Sequence, residues 1–277
     1  MNRNQALMLL IEEAHRGDFH FPTSAKLAIK IQQTLDDPEC HLEAAEKLIQ
    51  AEPLLAAQVI SMANSVAYNV SGREITDVRT AASRLGFQTL RTLAMAFVTR
   101  QMAGAPSSPE QKRLASDLWE HTAHVAALAR IIAAKVTKKS PETALFCGLV
   151  HEIGGFYLLS RVEQYPSLLA APSANSDEVN LESVKNTLTL AVLRNLGVPE
   201  TVVDAVERYV EGELTTPPAT LADTLILADH MAAVPTSLAS SGKTDPLLDA
   251  AVEEQTLQDA LKESDEEVAS LVRALRG

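Results

Sequence analysis

The chain has 277 residues, and its 24 lysine and arginine residues against 36 aspartate and glutamate residues give a formal net charge of −12. This acidity argues against nucleic-acid or membrane partners, because anionic polymers and lipids bind clustered cations. Hydrophobic residues make up 46% of the chain but aromatic residues only 4%, which excludes disorder and disfavours β-sandwiches and barrels.

Cysteine content and hydropathy favour a cytoplasmic protein. The two cysteines, Cys40 and Cys147, are too few for a disulfide framework and suggest a reducing compartment. No segment approaches the roughly 20 uninterrupted apolar residues that cross a bilayer. The leucine-rich segment 1–13 closes on two glutamates, so we interpret it as a first amphipathic helix rather than a signal peptide.

The first half of the chain has the periodicity of amphipathic helices. A helix is predicted to begin at residues 23–24, to bury Leu27, Ile31 and Leu35, and to end at the Asp-Asp-Pro break. Further apolar stripes predict the following helices: 42–49, 55–64, 78–85 and 90–98. Gly86 lies where a left-handed cap would end the third of these.

A stretch rich in glycine, proline and serine at residues 104–109 marks the best internal boundary. Beyond it, Ser140 and Pro141 form a helix start, and that helix is expected to run towards Glu152. The glycines at 154 and 155 are expected to stop it.

The last part of the chain continues the helical pattern. Apolar stripes predict helices at 202–210 and 268–275, and a capping box from Ser264 to Glu267 opens the second one. Because no segment alternates apolar and polar residues as a strand does, we predict an all-α fold in two helical subdomains.

Histidine and carboxylate side chains occur on apolar helix faces. His121, His151, Glu152 and Asp229 lie on three separate predicted helices. Burying an unpaired charge costs several kcal/mol, so these side chains need partners. They could converge as ligands of one Zn, Mn, Fe or Mg ion with water in the open positions. The alternative is that the histidines are core residues bonded to backbone carbonyls.

Two other patterns are weaker indications of a functional site. Cys147 and His151 have the i, i+4 spacing of a thiol–imidazole pair, but no third group orients them, and a buried cysteine is usually a small hydrophobe. Residues 73–100 carry a local net charge of +3. Because few aromatic residues are interleaved with these arginines, we interpret the segment as a solvated face rather than a nucleic-acid platform.

Several separated motifs resemble the HDOD domain, the HD-related output domain of bacteria. They are 21–23 (FPT), 35–38 (LDDP), 51–56 (AEPLLA), 62–65 (MANS), 118–121 (LWEH) and 148–154 (GLVHEIG). The resemblance implies an HD-domain-like helical bundle over residues 14–235. Its N-terminal helical subdomain would end at about 104 and its HD-like subdomain would begin at about 109.

The same resemblance implies a metal site. The HD pattern is a histidine, an adjacent His-Asp pair and a distant aspartate; it matches His121, His151 and Asp229, while Glu152 stands where aspartate is expected. The longer glutamate weakens metal binding unless the helix adjusts. Gly155 replaces a lysine that hydrolases often have, and no histidine lies between His151 and Asp229. Two-metal hydrolysis of cyclic dinucleotides is therefore not expected.

Taken together, the sequence predicts a bacterial signal-transduction output module without catalytic residues, which acts through a protein partner. It would hold at most one divalent metal ion and no other cofactor. The alternative is a mononuclear metal-dependent phosphohydrolase with the same four ligands. A third possibility, nucleotide or small-ligand binding in the former metal pocket, has no supporting motif.

Much of the negative charge lies near the C-terminus. Residues 245–267 contain nine acidic residues and one lysine, a local net charge of −8. We interpret residues 236–277 as an acidic helical extension, either a solvated cap or a docking surface for a basic partner.

Overall fold

The computed structural model describes residues 1–170, 179–236, 238 and 246–276. Its α-helices, in chain order, are α1 (Arg3–Arg16), α2 (Thr23–Asp36), α3 (Leu42–Gln50), α4 (Pro53–Asn64), α5 (Val78–Gln101), α6 (Pro109–Ile132), α7 (Pro141–Val150), α8 (Ile153–Ser160), α9 (Leu181–Asn195), α10 (Glu200–Glu211), α11 (Leu221–His230), α12 (Pro246–Val252), α13 (Gln255–Glu263) and α14 (Asp265–Arg276). A π-helical turn, Ala133–Thr137, follows α6, and a 3-10 turn, Pro166–Leu169, follows α8. The described residues contain no β-strand, which confirms the predicted all-α class.

Helix α5 is the centre of the N-terminal part, and α2, α3 and α4 pack against it. Its apolar side chains recur every three or four residues, so Leu90, Leu93 and Phe97 are all buried. The predicted stripe on this helix is therefore confirmed.

Gly86 separates two helical segments, as predicted. Its φ of 73° is positive, as at a glycine cap, but its ψ of 164° lies outside the left-handed helical region. The backbone kinks there between two helices, which together make up Val78–Gln101. The predicted helix end at Gly86 is therefore confirmed, but the residue does not adopt the left-handed helical conformation of a cap.

Helix α6 is the centre of the second part. It begins where the breaker-rich stretch ends: Ser108 Oγ accepts a hydrogen bond from the Gln111 amide at 3.1 Å, and Pro109 occupies the first turn. Helices α6, α7 and α11 contact one another in pairs. Polar residues that face inward from these three helices can therefore meet.

The two glycines at 154 and 155 do not stop the helix that begins at Pro141. That helix already ends at Val150, and a new helix, Ile153–Ser160, contains both glycines. A Cβ at Gly154 would lie 2.4 Å from the Lys185 carbonyl oxygen and 2.5 Å from the Thr189 nitrogen. Glycine is needed at 154 because α9 passes so close to α8.

Two local predictions about side chains are also wrong. Leu27 is 54% exposed, because α2 turns its neighbour Ala28, together with Ile31 and Leu35, into the core. Ser264 does not form the predicted capping box: its Oγ is buried and has no hydrogen-bond partner in the described part of the chain. Its backbone carbonyl instead accepts the Val268 amide at 2.9 Å.

The C-terminal helix α14 packs on α4 and α6, and so contacts both halves of the chain. Leu271, Val272 and Leu275 are buried in this interface. Gln58 of α4 donates a hydrogen bond to the Leu275 carbonyl at 3.2 Å, and Arg100 of α5 donates to the Arg276 carbonyl at 2.9 Å. The division into subdomains and the separate extension stay predictions.

By length and hydropathy, the segment Pro141–Ser160 could cross a membrane. It comprises α7 and α8, and 89% of its most apolar window is buried inside the structure. Core helices of this kind pass the same test, so the segment is weak support for a membrane span.

Candidate metal centre

His121 points inward from α6. Its side chain is 1% exposed, and its Nδ1 lies 2.7 Å from the carbonyl oxygen of Val234, in the segment after α11. Because a carbonyl oxygen can only accept, Nδ1 carries a proton and Nε2 faces the interior of the site.

His151 is held in the same way at the end of α7. It is 2% exposed, and its Nδ1 donates to the Gly148 carbonyl at 2.8 Å. The Thr189 hydroxyl lies 3.5 Å from the His151 carbonyl and accepts the Gly154 amide at 3.2 Å. Helix α9 therefore fixes the backbone that carries His151, and Nε2 is again the free ring atom.

The two Nε2 atoms and a carboxylate converge. His151 Nε2 lies 3.3 Å from His121 Nε2, which lies 3.0 Å from Asp229 Oδ1. One potential ligand atom from each residue lies within 4.8 Å of the others. We call His121, His151 and Asp229 the three-residue centre. The structure thus brings together three of the four predicted ligands.

The donor chemistry of the three-residue centre fits a metal cation. With both Nδ1 atoms protonated, neutral imidazoles present two Nε2 lone pairs and the carboxylate presents a third acceptor, so a proton or a cation must lie between them. Ligands of one ion with metal–nitrogen bonds near 2.1 Å lie roughly 3–4 Å apart, which the observed separations match. Metal-binding histidines usually donate their other ring N–H to a backbone carbonyl or a carboxylate, as both histidines do here.

The electrostatics differ between the two histidines. Burial lowers the pKa of His151 to about 4, so this ring is neutral at physiological pH. Burial also lowers the pKa of His121, but the hydrogen bond and charge of Asp229 outweigh it and raise that pKa overall. Burial raises the pKa of Asp229, yet the contacts with both histidines hold that pKa below its usual range. The centre therefore keeps a carboxylate anion and a neutral His151.

Tyr209 of α10 adds a hydroxyl to the centre. It donates to Asp229 Oδ2 at 3.0 Å, and its ring meets the His151 ring edge-on with 5.7 Å between centroids. The sequence placed Tyr209 in the apolar stripe of the predicted helix 202–210 and predicted no role for its hydroxyl. Tyr209 lies in the last turn of α10, and nothing in the sequence of that turn indicates a hydrogen bond to Asp229.

Glu152 lies outside the three-residue centre. Its Oε1 is 2.5 Å from Lys185 Nζ of α9, and both side chains are buried. Its Oε2 has no hydrogen-bond partner among the described residues. The role of Glu152 as a fourth ligand stays a prediction. Sequence reasoning missed Lys185, although a lysine on the face of α9 that also carries Leu188 and Val192 is a detectable signal.

The other polar candidates have different partners. Cys147 is buried, which raises the pKa of its thiol to about 12, and the ring nitrogens of His151 face Gly148 and His121 instead. His124 lies 3.1 Å from Glu120, and His230 is 43% exposed and lies 3.8 Å from Asp249.

Several arginines of residues 73–100 are used within the protein. Arg84 donates to the Asn69 side chain at 2.7 Å, Arg91 to the Leu35 carbonyl at 2.8 Å and Arg100 to the Arg276 carbonyl. The interpretation of this segment as a solvated face rather than a nucleic-acid platform stays a prediction.

Solved structures with the same fold include two Shewanella amazonensis proteins, named "putative metal-dependent phosphohydrolase" and "putative phosphohydrolase". The first has a TM-score of 0.69 at 19% identity, covering 98% of this chain and 99% of the other. The second has a TM-score of 0.65 at 20% identity, covering 96% and 97%. An HDOD domain protein of unknown function from Geobacter sulfurreducens has a TM-score of 0.61 at 17% identity, covering 98% and 97%.

At these identities the structural matches show the fold alone. No curated protein sequence matches the chain. The model of the HDOD domain family, in contrast, matches residues 21–211, which is well over half of the chain. This match contains two members of the three-residue centre, His121 and His151, and confirms the expected family: the chain belongs to the HDOD domain family.

Proposed function

We propose that this chain is a regulatory domain of bacterial signal transduction that binds one divalent cation at the three-residue centre. It acts through contact with a protein partner rather than through turnover. The convergence of two imidazole lone pairs and a carboxylate carries the metal-binding part of the proposal.

Two features favour a non-catalytic role. The carboxylate beside His151 is neutralised by Lys185 and is fully buried. His121 and His151 are almost completely buried, so Asp229, at 28% exposure, is the one member of the centre with a substantial exposed surface. The pairing leaves Glu152 without a free charge for catalysis, and the burial of the histidines limits access of a phosphoester.

The second candidate function is a mononuclear metal-dependent phosphohydrolase. The intact His/His/Asp set favours it, because a divalent cation held there would supply Lewis acidity towards a phosphoryl oxygen. In that case His121, His151 and Asp229 would hold the ion, and Tyr209 would orient Asp229 through its hydroxyl.

A protein partner and a cytoplasmic location are also part of the proposal. The net charge of −12 disfavours nucleic acid and anionic lipid, so the partner is proposed to be a protein. The local charge of −8 at residues 245–267 favours a basic partner surface. A cytoplasmic location agrees with the two free cysteines.

Elemental analysis and an activity screen on the same preparation test the proposal. Protein purified without chelator is expected to carry about one equivalent of a divalent metal, and His151→Ala is expected to lose it. No metal-stimulated hydrolysis of phosphomonoesters or phosphodiesters is expected. Turnover that requires metal and disappears in His151→Ala would establish the hydrolase instead. Absence of metal from the wild-type chain, even after addition of Mn²⁺ or Zn²⁺, would contradict both candidates.

A further inference from the structure

A buried ion pair lies beside the three-residue centre. It joins Lys185, which is 4% exposed, to Glu152, which is fully buried and directly follows His151 in the chain. The two side chains lie on different elements, α9 and the start of α8. The pair therefore brings a fixed positive charge close to a candidate metal ligand.

The surrounding backbone keeps Lys185 in place. Gly154 lies so close to α9 that a Cβ there would meet the Lys185 carbonyl oxygen at 2.4 Å. The Gly154 amide also donates to Thr189 Oγ1, one turn further along α9. These contacts fix the backbone of Lys185 against α8, from which its ammonium group reaches Glu152.

Glu152 has an unused acceptor. Lys185 occupies Oε1, whereas Oε2 is buried and has no hydrogen-bond partner among the described residues. Glu152 directly follows His151 in the chain, and its carboxylate is fully buried. A buried carboxylate next to a candidate ligand favours a cation at the centre, and Lys185 opposes this effect.

We propose that Lys185 is a built-in competitor cation, which lowers the affinity of the three-residue centre for divalent metal by neutralising Glu152. The inference rests on the proposed function, because it concerns the same metal centre. Two effects act together: the ammonium repels a second cation, and it cancels the carboxylate that would attract one. Both effects are strong in a buried site, where little water screens the charges.

Four proteins test the inference by calorimetric titration with Mn²⁺: wild type, Lys185→Met, Glu152→Gln and the double variant. Lys185→Met removes the repulsion and frees the carboxylate, so it is expected to bind Mn²⁺ roughly tenfold more tightly or better. Glu152→Gln leaves the ammonium uncompensated and is expected to bind Mn²⁺ roughly tenfold more weakly. The double variant, in which both charges are absent, is expected to return close to wild-type affinity.

The opposite signs of the two single variants separate this inference from a purely structural role. Damage to the fold would weaken Mn²⁺ binding in both, and that outcome would overturn the inference. If Lys185→Met does not fold, as circular dichroism would show, the remaining pair still decides: the double variant must recover the affinity that Glu152→Gln loses.

The series also distinguishes this inference from the proposed function. His151→Ala is the control that removes the centre itself. If the wild type binds Mn²⁺ and the four affinities are equal, only the role of Lys185 is wrong. If the wild type does not bind but Lys185→Met does, the inference stands and the proposed metal-loaded state fails. If neither binds, both are wrong.

Discussion

At the scale of single residues, Tyr209 is the side chain whose role is most easily isolated. Its hydroxyl holds Asp229 Oδ2 at 3.0 Å and leaves Oδ1 facing His121. Loss of an outer hydrogen bond to a metal ligand costs roughly 10- to 100-fold in metal affinity. We expect Tyr209→Phe to bind Mn²⁺ about tenfold more weakly in a calorimetric titration, at nearly unchanged thermal stability.

Tyr165→Phe is the matched control for that substitution. The Tyr165 hydroxyl contacts Gln164, 2.9 Å away, and none of the centre residues. We expect its Mn²⁺ affinity to equal that of the wild type. Equal losses in the two variants would show that Tyr209 acts on general stability and not on Asp229.

The two cysteines differ in reactivity for a reason that the structure makes explicit. Burial raises the pKa of the Cys147 thiol to about 12, so at about pH 8 it stays protonated and is a poor nucleophile. Cys40 is partly exposed. Iodoacetamide at that pH is therefore expected to modify one thiol of the native protein and two after denaturation, as counted by mass spectrometry.

Cys40→Ser provides the control for the alkylation experiment. In this variant the native protein is expected to remain unmodified until the pH approaches the raised pKa of Cys147. Rapid modification of native Cys40→Ser at neutral pH would contradict the burial of Cys147. It would instead support a thiol–imidazole pair of Cys147 and His151.

At the scale of elements, the contact between α6 and α7 depends on a glycine. A Cβ at Gly148 would lie 2.4 Å from the Cα of Ala126 and 2.8 Å from its nitrogen, so backbone atoms and not flexible side chains would have to move. We expect Gly148→Ala to lower the free energy of unfolding by about 1–3 kcal/mol, as urea denaturation would measure.

A substitution on the partly exposed side of the same helix is the control for Gly148→Ala. Like Gly148→Ala, Thr143→Ala introduces a residue of high helix propensity, but its side chain does not clash with a neighbouring backbone. Its free energy of unfolding is expected to stay within about 0.5 kcal/mol of the wild type. An equally stable Gly148→Ala would mean that α6 and α7 can separate without loss.

Helix positions were largely predictable because their signals are local. The start of α6 follows from Ser108 and Pro109, and the end of α10 from Gly212. Gly154 was misinterpreted because sequence shows that glycine is permitted but not why it is needed. At Gly154 the reason is the backbone of α9, about thirty residues away in sequence, and no local pattern contains that information.

At the scale of the whole molecule, the candidate centre was predictable only in part. His121, His151 and Asp229 each lie on an apolar helix face, and the order of the residues resembles the HD pattern. That order could not reveal the Val234 carbonyl that orients His121, nor the lysine of α9 that pairs with Glu152. Both depend on how distant helices dock, which periodicity within one helix does not specify.

Arg130 of α6 links parts of the chain that are far apart in sequence. It pairs with Glu142 of α7 at 3.4 Å and with Glu267 of α14 at 2.7 Å. Its guanidinium also lies over the Tyr68 ring, 5.0 Å from the ring centroid. Together with the buried face of α14, these contacts connect the N-terminal helices with the helices that carry the centre.

Because α14 contacts both α4 and α6, a cavity in its buried face is expected to weaken the whole molecule and not one half. Leu275→Ala removes a fully buried side chain, which costs about 2–5 kcal/mol of unfolding free energy. Urea unfolding followed by circular dichroism and by fluorescence of the single tryptophan, Trp119, should show the same shifted midpoint. Arg273→Ala, on the exposed side of α14, is expected to leave the midpoint unchanged. Separate midpoints for the two probes would instead indicate that α14 stabilises only the helices around Trp119, and that the two predicted subdomains unfold independently.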